Sequence, residues 1–260
     1  MLATRYLQER LLYRLSISPY HNHFLLKGGA LLYAHKRFMA RPTLDIDFMG
    51  QHIENDKETV KKVFAEICAT PYRQDGVTFH TETLRTYDIA AEKKYPGVRL
   101  SLSASIDTIR QDISMDIGFG DVVIPCPSEL DYPNLIDGFP AINILAYSLE
   151  TVIAEKFQTV IARAEANSRM KDFYDLYTIL QEGKYDSVVL SEAINATFEN
   201  RQTAYMDNHT VFSLDFANNT DLNIRWNSFV NKLRIQQKLT FPEVVCFLQA
   251  KLEPYWKMLK

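Results

Sequence analysis

The chain is poor in cysteine and has no long apolar run. Its three cysteines, Cys68, Cys126 and Cys246, are scattered and form no C-x-x-C pair. That spacing speaks against both a disulfide scaffold and a zinc site. The six histidines show no ligand spacing. No apolar stretch approaches the ~20 residues that a membrane-spanning helix needs. Arg5, Glu9, Arg10 and Arg14 interrupt the apolar residues of the N-terminus, which excludes a signal-peptide core. With 9 glycines and 10 prolines in 260 residues, nothing suggests disorder or repeats. There is no basic surplus either. The net charge is −3, so any positive groove for nucleic acid would have to be local. What remains is a cytoplasmic protein of one large or two modest domains, with enough apolar content to bury a core.

The apolar spacing predicts a mixed architecture. Helical periodicity covers residues 2–16, 30–38 and 56–69. Strand patterns cover 23–26, 43–49, 77–81, 84–89, 98–106 and 113–119, with a polar turn over 107–112. A Pro-bearing stretch, 125–140, separates these from helical patterns at 149–166, 171–181, 188–198, 222–235 and 241–259. The predicted fold class is therefore α+β: a mixed sheet flanked by helices, followed by a helical C-terminal half. The boundary is placed between an α/β domain, 1–145, and a helical domain, 146–260.

Two features in the first half carry chemistry. In Arg41-Pro42-Thr43-Leu44-Asp45-Ile46-Asp47-Phe48, the two carboxylates fall on one face of a strand, and Leu44, Ile46 and Phe48 on the other. From ~6.5–7 Å apart, two such carboxylates can converge on one divalent cation or share a pair. Upstream, Lys27-Gly28-Gly29-Ala30 reads as a di-glycine turn opening a helix, whose free N–H groups suit a phosphate. Asp116 falls on the polar face of a later strand and would complete a three-carboxylate site with Asp45 and Asp47; Asp121 competes with it but lies past two glycines, where the strand ends. Hard oxygen ligands with retained water suit Mg²⁺. A cation site beside a phosphate cradle points to attack on the α-phosphate of a nucleoside triphosphate.

With these residues in place, the sequence resembles the DNA polymerase β-like nucleotidyltransferase superfamily. More specifically, it resembles the AbiEii type of abortive-infection toxin, also called MenT-like. The matching blocks are Lys27–Ala30, Arg41–Phe48, Asp116–Asp121, Leu149-Glu150 with Ala154–Phe157, and Arg169–Leu176, in the family's order over roughly residues 22–180. The last two blocks discriminate best, since generic members of the superfamily lack them. The resemblance implies that Asp45 and Asp47 hold the metal, that Lys156 contacts the nucleotide phosphates, and that Asp172 completes the active site. Gly28, Gly29 and Arg41 would then lie against the nucleotide. It also implies a toxin that transfers a nucleotide from a triphosphate to an acceptor, the tRNA 3′ end foremost, with an antitoxin as partner protein.

Each of these residues also has an ordinary structural role available. Lys156 could form a surface pair with Glu155. Asp172 suits the first turn of its helix, behind a capping Ser168, and Asp175, one turn on along the same face, reads as structural. Arg41 could be a strand-edge cation. Arg163, Arg169, Lys171, Arg201 and Arg225 are available for an RNA groove or for a solvated helix face. Thr43, two residues before Asp45, shares its face, so a phosphate there would add about −1.5 to −2 charge beside the carboxylates. Two other functions compete: a transferase acting on a small molecule such as an antibiotic, and a nucleotide-binding regulator that does no chemistry.

Overall fold

The computed structural model describes residues 2–89, 97–233 and 239–260. The chain falls into two compact units, one made of Met1–Asp121 with Pro127–Tyr147 and the other of Val122–Cys126 with Ser148–Lys260.

The first unit is built on one sheet. Its strands are β1 (Phe24–Lys27), β2 (Asp45–Gly50), β3 (Val77–Ile89), β4 (Gly97–Ile106), β5 (Ile109–Gly118), β6 (Ser128–Tyr132) and β7 (Ile142–Ala146). Among the described residues their order is β3-β4-β5-β2-β1-β7-β6. The β2–β5 and β1–β7 pairs are parallel, whereas β1–β2, β3–β4, β4–β5 and β6–β7 are antiparallel. The sheet is therefore mixed, in line with the predicted fold class. The strands form because apolar residues alternate over one face: Leu100 and Leu102 on β4, and Ile113, Met115 and Ile117 on β5, are fully buried. β3 runs through both of its predicted pieces, and the register shift between His80 and Arg85 marks the join.

Two expectations are corrected here. The turn predicted over 107–112 is only two residues long, because Ile106 pairs with Ile109 and β5 begins there. The Pro-bearing stretch 125–140, to which the patterning assigns no strand, contributes edge strand β6, and β7 follows it. Five-residue strands give too few alternations to stand out from a Pro-bearing background.

Helices α1 (Leu2–Ser16), α2 (Gly28–Lys36) and α3 (Lys57–Ala69) belong to this unit. The Asp56 side chain caps α3 by accepting from the Glu58 and Thr59 N–H groups, and Val60, Val63, Phe64 and Ile67 turn inward. Helix α1 departs from a simple amphipathic stripe, because it buries charges as well as leucines. Arg14 donates from Nη1 to Asp75 Oδ2 at 2.6 Å and from Nη2 to Asp75 Oδ1 at 3.2 Å, while Arg10 pairs with Glu9 at 2.6 Å.

The second unit is helical: α4 (Leu149–Arg163), α5 (Met170–Glu182), α6 (Ser187–Asn200), α7 (Leu214–Ala217), α8 (Thr220–Leu233) and α9 (Phe241–Met258). The predicted end of α8 at Ile235 lies outside the described residues. Ser148 caps α4 through the Thr151 N–H, and Thr240 with Glu243 forms a reciprocal capping box on α9. Gly183 ends α5 at φ 66°, a left-handed position that glycine fills without strain. Phe157, Phe173, Phe198, Phe216, Trp226 and Phe241 form the aromatic core. No helix among the described residues is long and apolar enough to cross a membrane.

Candidate active site

In the first unit the di-glycine turn and the two-carboxylate strand meet. β1 and β2 pair antiparallel, with Lys27 opposite Asp47, so the turn after β1 comes level with the carboxylates. Gly28 has φ +64°, and a Cβ there would collide with the Asp47 carboxylate, whose Cγ would lie 2.6 Å away. Glycine is therefore required twice over, for its backbone angle and for the space Asp47 fills. At Gly29 a Cβ would lie 2.7 Å from the Thr43 Cβ and 2.8 Å from its Oγ1, so Thr43 is packed onto the turn. The Thr43 hydroxyl donates to the Asp45 carbonyl at 3.1 Å.

Helix α2 starts at Gly28, and Lys27 at its N-cap gives it no side-chain capping bond. Asp56, Ser148, Asp186 and Thr240 all cap their own helices. Lys27 instead directs Nζ to Asp121 Oδ2 at 2.8 Å and to the Tyr147 hydroxyl at 3.3 Å. Asp121 lies beyond the end of β5 and serves as the partner of Lys27. Arg41 precedes β2, and its Nη1 lies 3.5 Å from the Pro42 carbonyl.

Asp45 and Asp47 are half-buried on one face of β2, while Ile46 and Phe48 are buried on the other. Leu44 is the exception to the predicted alternation. It lies before the strand begins and is 62% exposed. Asp116 is the register partner of Asp47 across the parallel β2–β5 pair, at the ~4.8 Å spacing of neighbouring strands.

Asp116 is already engaged. Arg99, its partner on β4, donates from Nε to Asp116 Oδ1 and from Nη2 to Oδ2, both at 2.7 Å. That hydrogen-bonded fork raises the Arg99 pKa, and Asp116, Asp45 and Asp47 add to the effect by their charge. Among the described residues, no group of three His, Cys, Asp or Glu side chains is disposed to hold a metal ion. The donor chemistry of Asp45 and Asp47 nonetheless suits Mg²⁺, which commonly takes one or two carboxylates and completes its shell with water and substrate phosphates.

Arg99 is the residue that motif spacing misses. Its signal was the hairpin register. A two-residue turn after Ile106 sets Arg99 opposite Asp116, whereas a turn over 107–112 would set Ser103 there.

The second unit holds its own charged cluster. Lys156 Nζ on α4 lies 2.8 Å from Asp172 Oδ1 and 2.8 Å from Asp175 Oδ2, both on α5. Arg169 Nε donates to the other Asp172 oxygen at 2.8 Å. The carboxylate is only 2% exposed. Burial alone would raise the Asp172 pKa, but Lys156 and Arg169 outweigh it and bring the value to about 2. Burial likewise opposes the charge on Lys156, yet Asp175 and Asp172 keep it above the usual lysine range. Lys156 is thus a buried, doubly paired cation rather than half of a surface pair. Asp175, read as structural, is as close to it as Asp172 is. Arg169, not Ser168, occupies the N-cap of α5.

Three of the cations proposed for an RNA groove have intramolecular partners. Arg169 holds Asp172, Arg201 pairs with Glu155 at 3.3 Å, and Arg225 Nη1 donates to the Asn167 carbonyl at 3.1 Å.

Comparison with known proteins decides the family. The model of the nucleotidyl transferase AbiEii toxin, Type IV TA system, matches residues 10–249. The chain belongs to this family. It is accordingly a nucleotidyltransferase of a toxin–antitoxin system, which implies a nucleoside triphosphate substrate and an antitoxin partner. No curated protein matches it. Among solved structures, it is similar to a protein from H. pylori provisionally described as a nucleotidyltransferase. The TM-score is 0.54 and the identity 15%, over 99% of this chain and 95% of that one. It is similar also to JHP933 from Helicobacter pylori, with TM-score 0.54 and 16% identity over 99% and 92% of the two chains. At such identities the likeness concerns the fold.

Proposed function

We propose that this AbiEii-type toxin is a Mg²⁺-dependent transferase that moves a nucleotide from a nucleoside triphosphate to the 3′ end of tRNA. The observation that carries the reading is the fit of Asp47 against Gly28, where a missing side chain seats a carboxylate beside a helix start that its N-cap residue Lys27 does not cap. Asp45 and Asp47 would hold the ion. When bound, Mg²⁺ would lower the pKa of the attacking hydroxyl and offset the charge of the departing pyrophosphate.

The residues of the chain account for the rest. N–H groups at Gly28 and Gly29 would receive phosphate oxygens at the positive end of α2. Arg41, in the segment leading into β2, would add a guanidinium for the triphosphate. Lys156 stays protonated through the physiological range, the state needed to contact phosphates, and Asp175 and Asp172 keep it so. In the transfer, an acceptor oxygen bonds to the α-phosphorus, the bond to the bridging oxygen breaks, and pyrophosphate leaves. A terminal ribose hydroxyl is a suitable nucleophile. Capping it on tRNA blocks aminoacylation, which is how a transferase becomes a growth inhibitor.

The test is to incubate the protein and Mg²⁺ with each α-labelled triphosphate and total cellular RNA, then repeat with Asp45→Ala and Lys156→Ala. Label is expected in tRNA with the intact protein only. Label in a low-molecular-weight acceptor would show a small-molecule transferase instead. Growth inhibition surviving in Asp47→Ala would show a regulator that does no chemistry.

A further inference from the structure

We propose that Arg99 is a positioning residue that stands in for the divalent cation, holding Asp116 until an ion takes its place among the carboxylates. This rests on the metal reading given above. Three acidic side chains, Asp45, Asp47 and Asp116, share one face of β2 and β5, where their mutual repulsion would be costly without a cation. Arg99 reaches that face from β4 and satisfies both Asp116 oxygens in a planar fork. A guanidinium matches a carboxylate in this way, and it cannot lose its proton. Both oxygens of Asp116 are therefore committed to Arg99 in the absence of an ion.

The pair is also built to open. Arg99 is 44% exposed and Asp116 19% exposed, so the arginine can turn into solvent without leaving a buried charge. A fixed, buried pair such as Arg14–Asp75, with exposures of 3% and 0%, has no such exit. Divalent ion and guanidinium thus compete for one carboxylate. The protein acquires its third acidic ligand only when the competitor lets go.

The experiment titrates Mn²⁺ into the full chain and follows the free ion by electron paramagnetic resonance. No turnover is needed. Arg99→Gln is expected to bind Mn²⁺ roughly fivefold more tightly than the unaltered protein, the scale of a partly solvated two-bond ion pair. Arg99→Lys, which keeps the charge but loses the fork, is expected to fall between them. In an Asp116→Asn background, Arg99→Gln should change affinity less than twofold. Equal or weaker binding by Arg99→Gln in a protein that still binds Mn²⁺ through Asp45 and Asp47 overturns the proposal alone. Binding that is indifferent to Asp45→Asn overturns the metal reading, and this proposal with it. Should Arg99→Gln not fold, the Arg99→Lys series decides, since an affinity equal to the unaltered protein's would refute competition.

Discussion

Lys156 is held between Asp172 and Asp175, 2.8 Å from an oxygen of each, in the interior of the helical unit. A lysine this buried stays charged because two carboxylates surround it, and Lys156 and Arg169 together keep the Asp172 carboxylate ionised. Residues that the proposed function assigns to the nucleotide phosphates are therefore also part of what holds α4 to α5.

A pH dependence follows from this pairing. The folded pKa of Asp172 is about 2, below the ~3.9 of an unfolded aspartate. Its depressed value favours the folded state by about 2–3 kcal/mol above pH ~4, and that contribution is lost as the pH falls through the folded pKa. Lys156, with a raised pKa, acts in the opposite sense: its contribution holds below the ordinary lysine value and is lost as the pH rises through the folded one. Urea unfolding of the unaltered protein and of Asp172→Asn should therefore differ most near neutrality and converge at low pH. Parallel stability profiles down to pH ~2 would show that the pair contributes nothing.

The turn at Gly28 makes a second prediction. Gly28→Ala places a Cβ in the left-handed region and against the Asp47 carboxylate. The backbone strain and the clash together should cost about 2–4 kcal/mol. Transfer should fall further than stability does, because Asp47 must move. Thermal unfolding read beside labelled transfer separates the two effects. A folded Gly28→Ala protein with full activity would mean that the contact with Asp47 has no part in the chemistry.

How much of this was legible in the sequence depends on the range of the signal. The α+β class follows from periodicities that survive in isolation: β4 alternates along most of its length and β5 from Ile113 onward, and α3, α4 and α5 carry one apolar face. The shared face of Asp45 and Asp47 follows from their spacing alone. β6 and β7 were hidden because five residues are too few to reveal a period, and β6 is an edge strand with little to bury. Leu44 misled because alternation was carried one residue past the true start of β2. Arg99 was invisible for a different reason. Its role depends on a cross-strand partner, and a partner depends on turn length, which propensity places only within a few residues. The partner of Asp175 was out of reach too, because spacing gives the face of a helix but not the cation waiting opposite.

Thr43 supplies the last prediction. Its side chain lies against Gly29, and its hydroxyl bonds the Asp45 carbonyl, so whatever is attached to that oxygen must enter the space between the glycine turn and the carboxylates. A phosphate there would add about −1.5 to −2 charge close to Asp45 and Asp47. It would repel an incoming triphosphate and compete for the N–H groups at the start of α2. Thr43→Glu, a smaller version of the same charge, is expected to reduce transfer at least tenfold, equivalent to about 1.4 kcal/mol. Thr43→Val removes the hydroxyl without adding charge and should stay within about threefold of the unaltered protein, since it forfeits a single half-buried hydrogen bond. Comparing the two variants at matched triphosphate concentration isolates the electrostatic effect from the packing effect. Equal losses in both would assign the sensitivity of this position to packing on Gly29, and full activity in Thr43→Glu would show that negative charge at residue 43 does not reach the reacting groups.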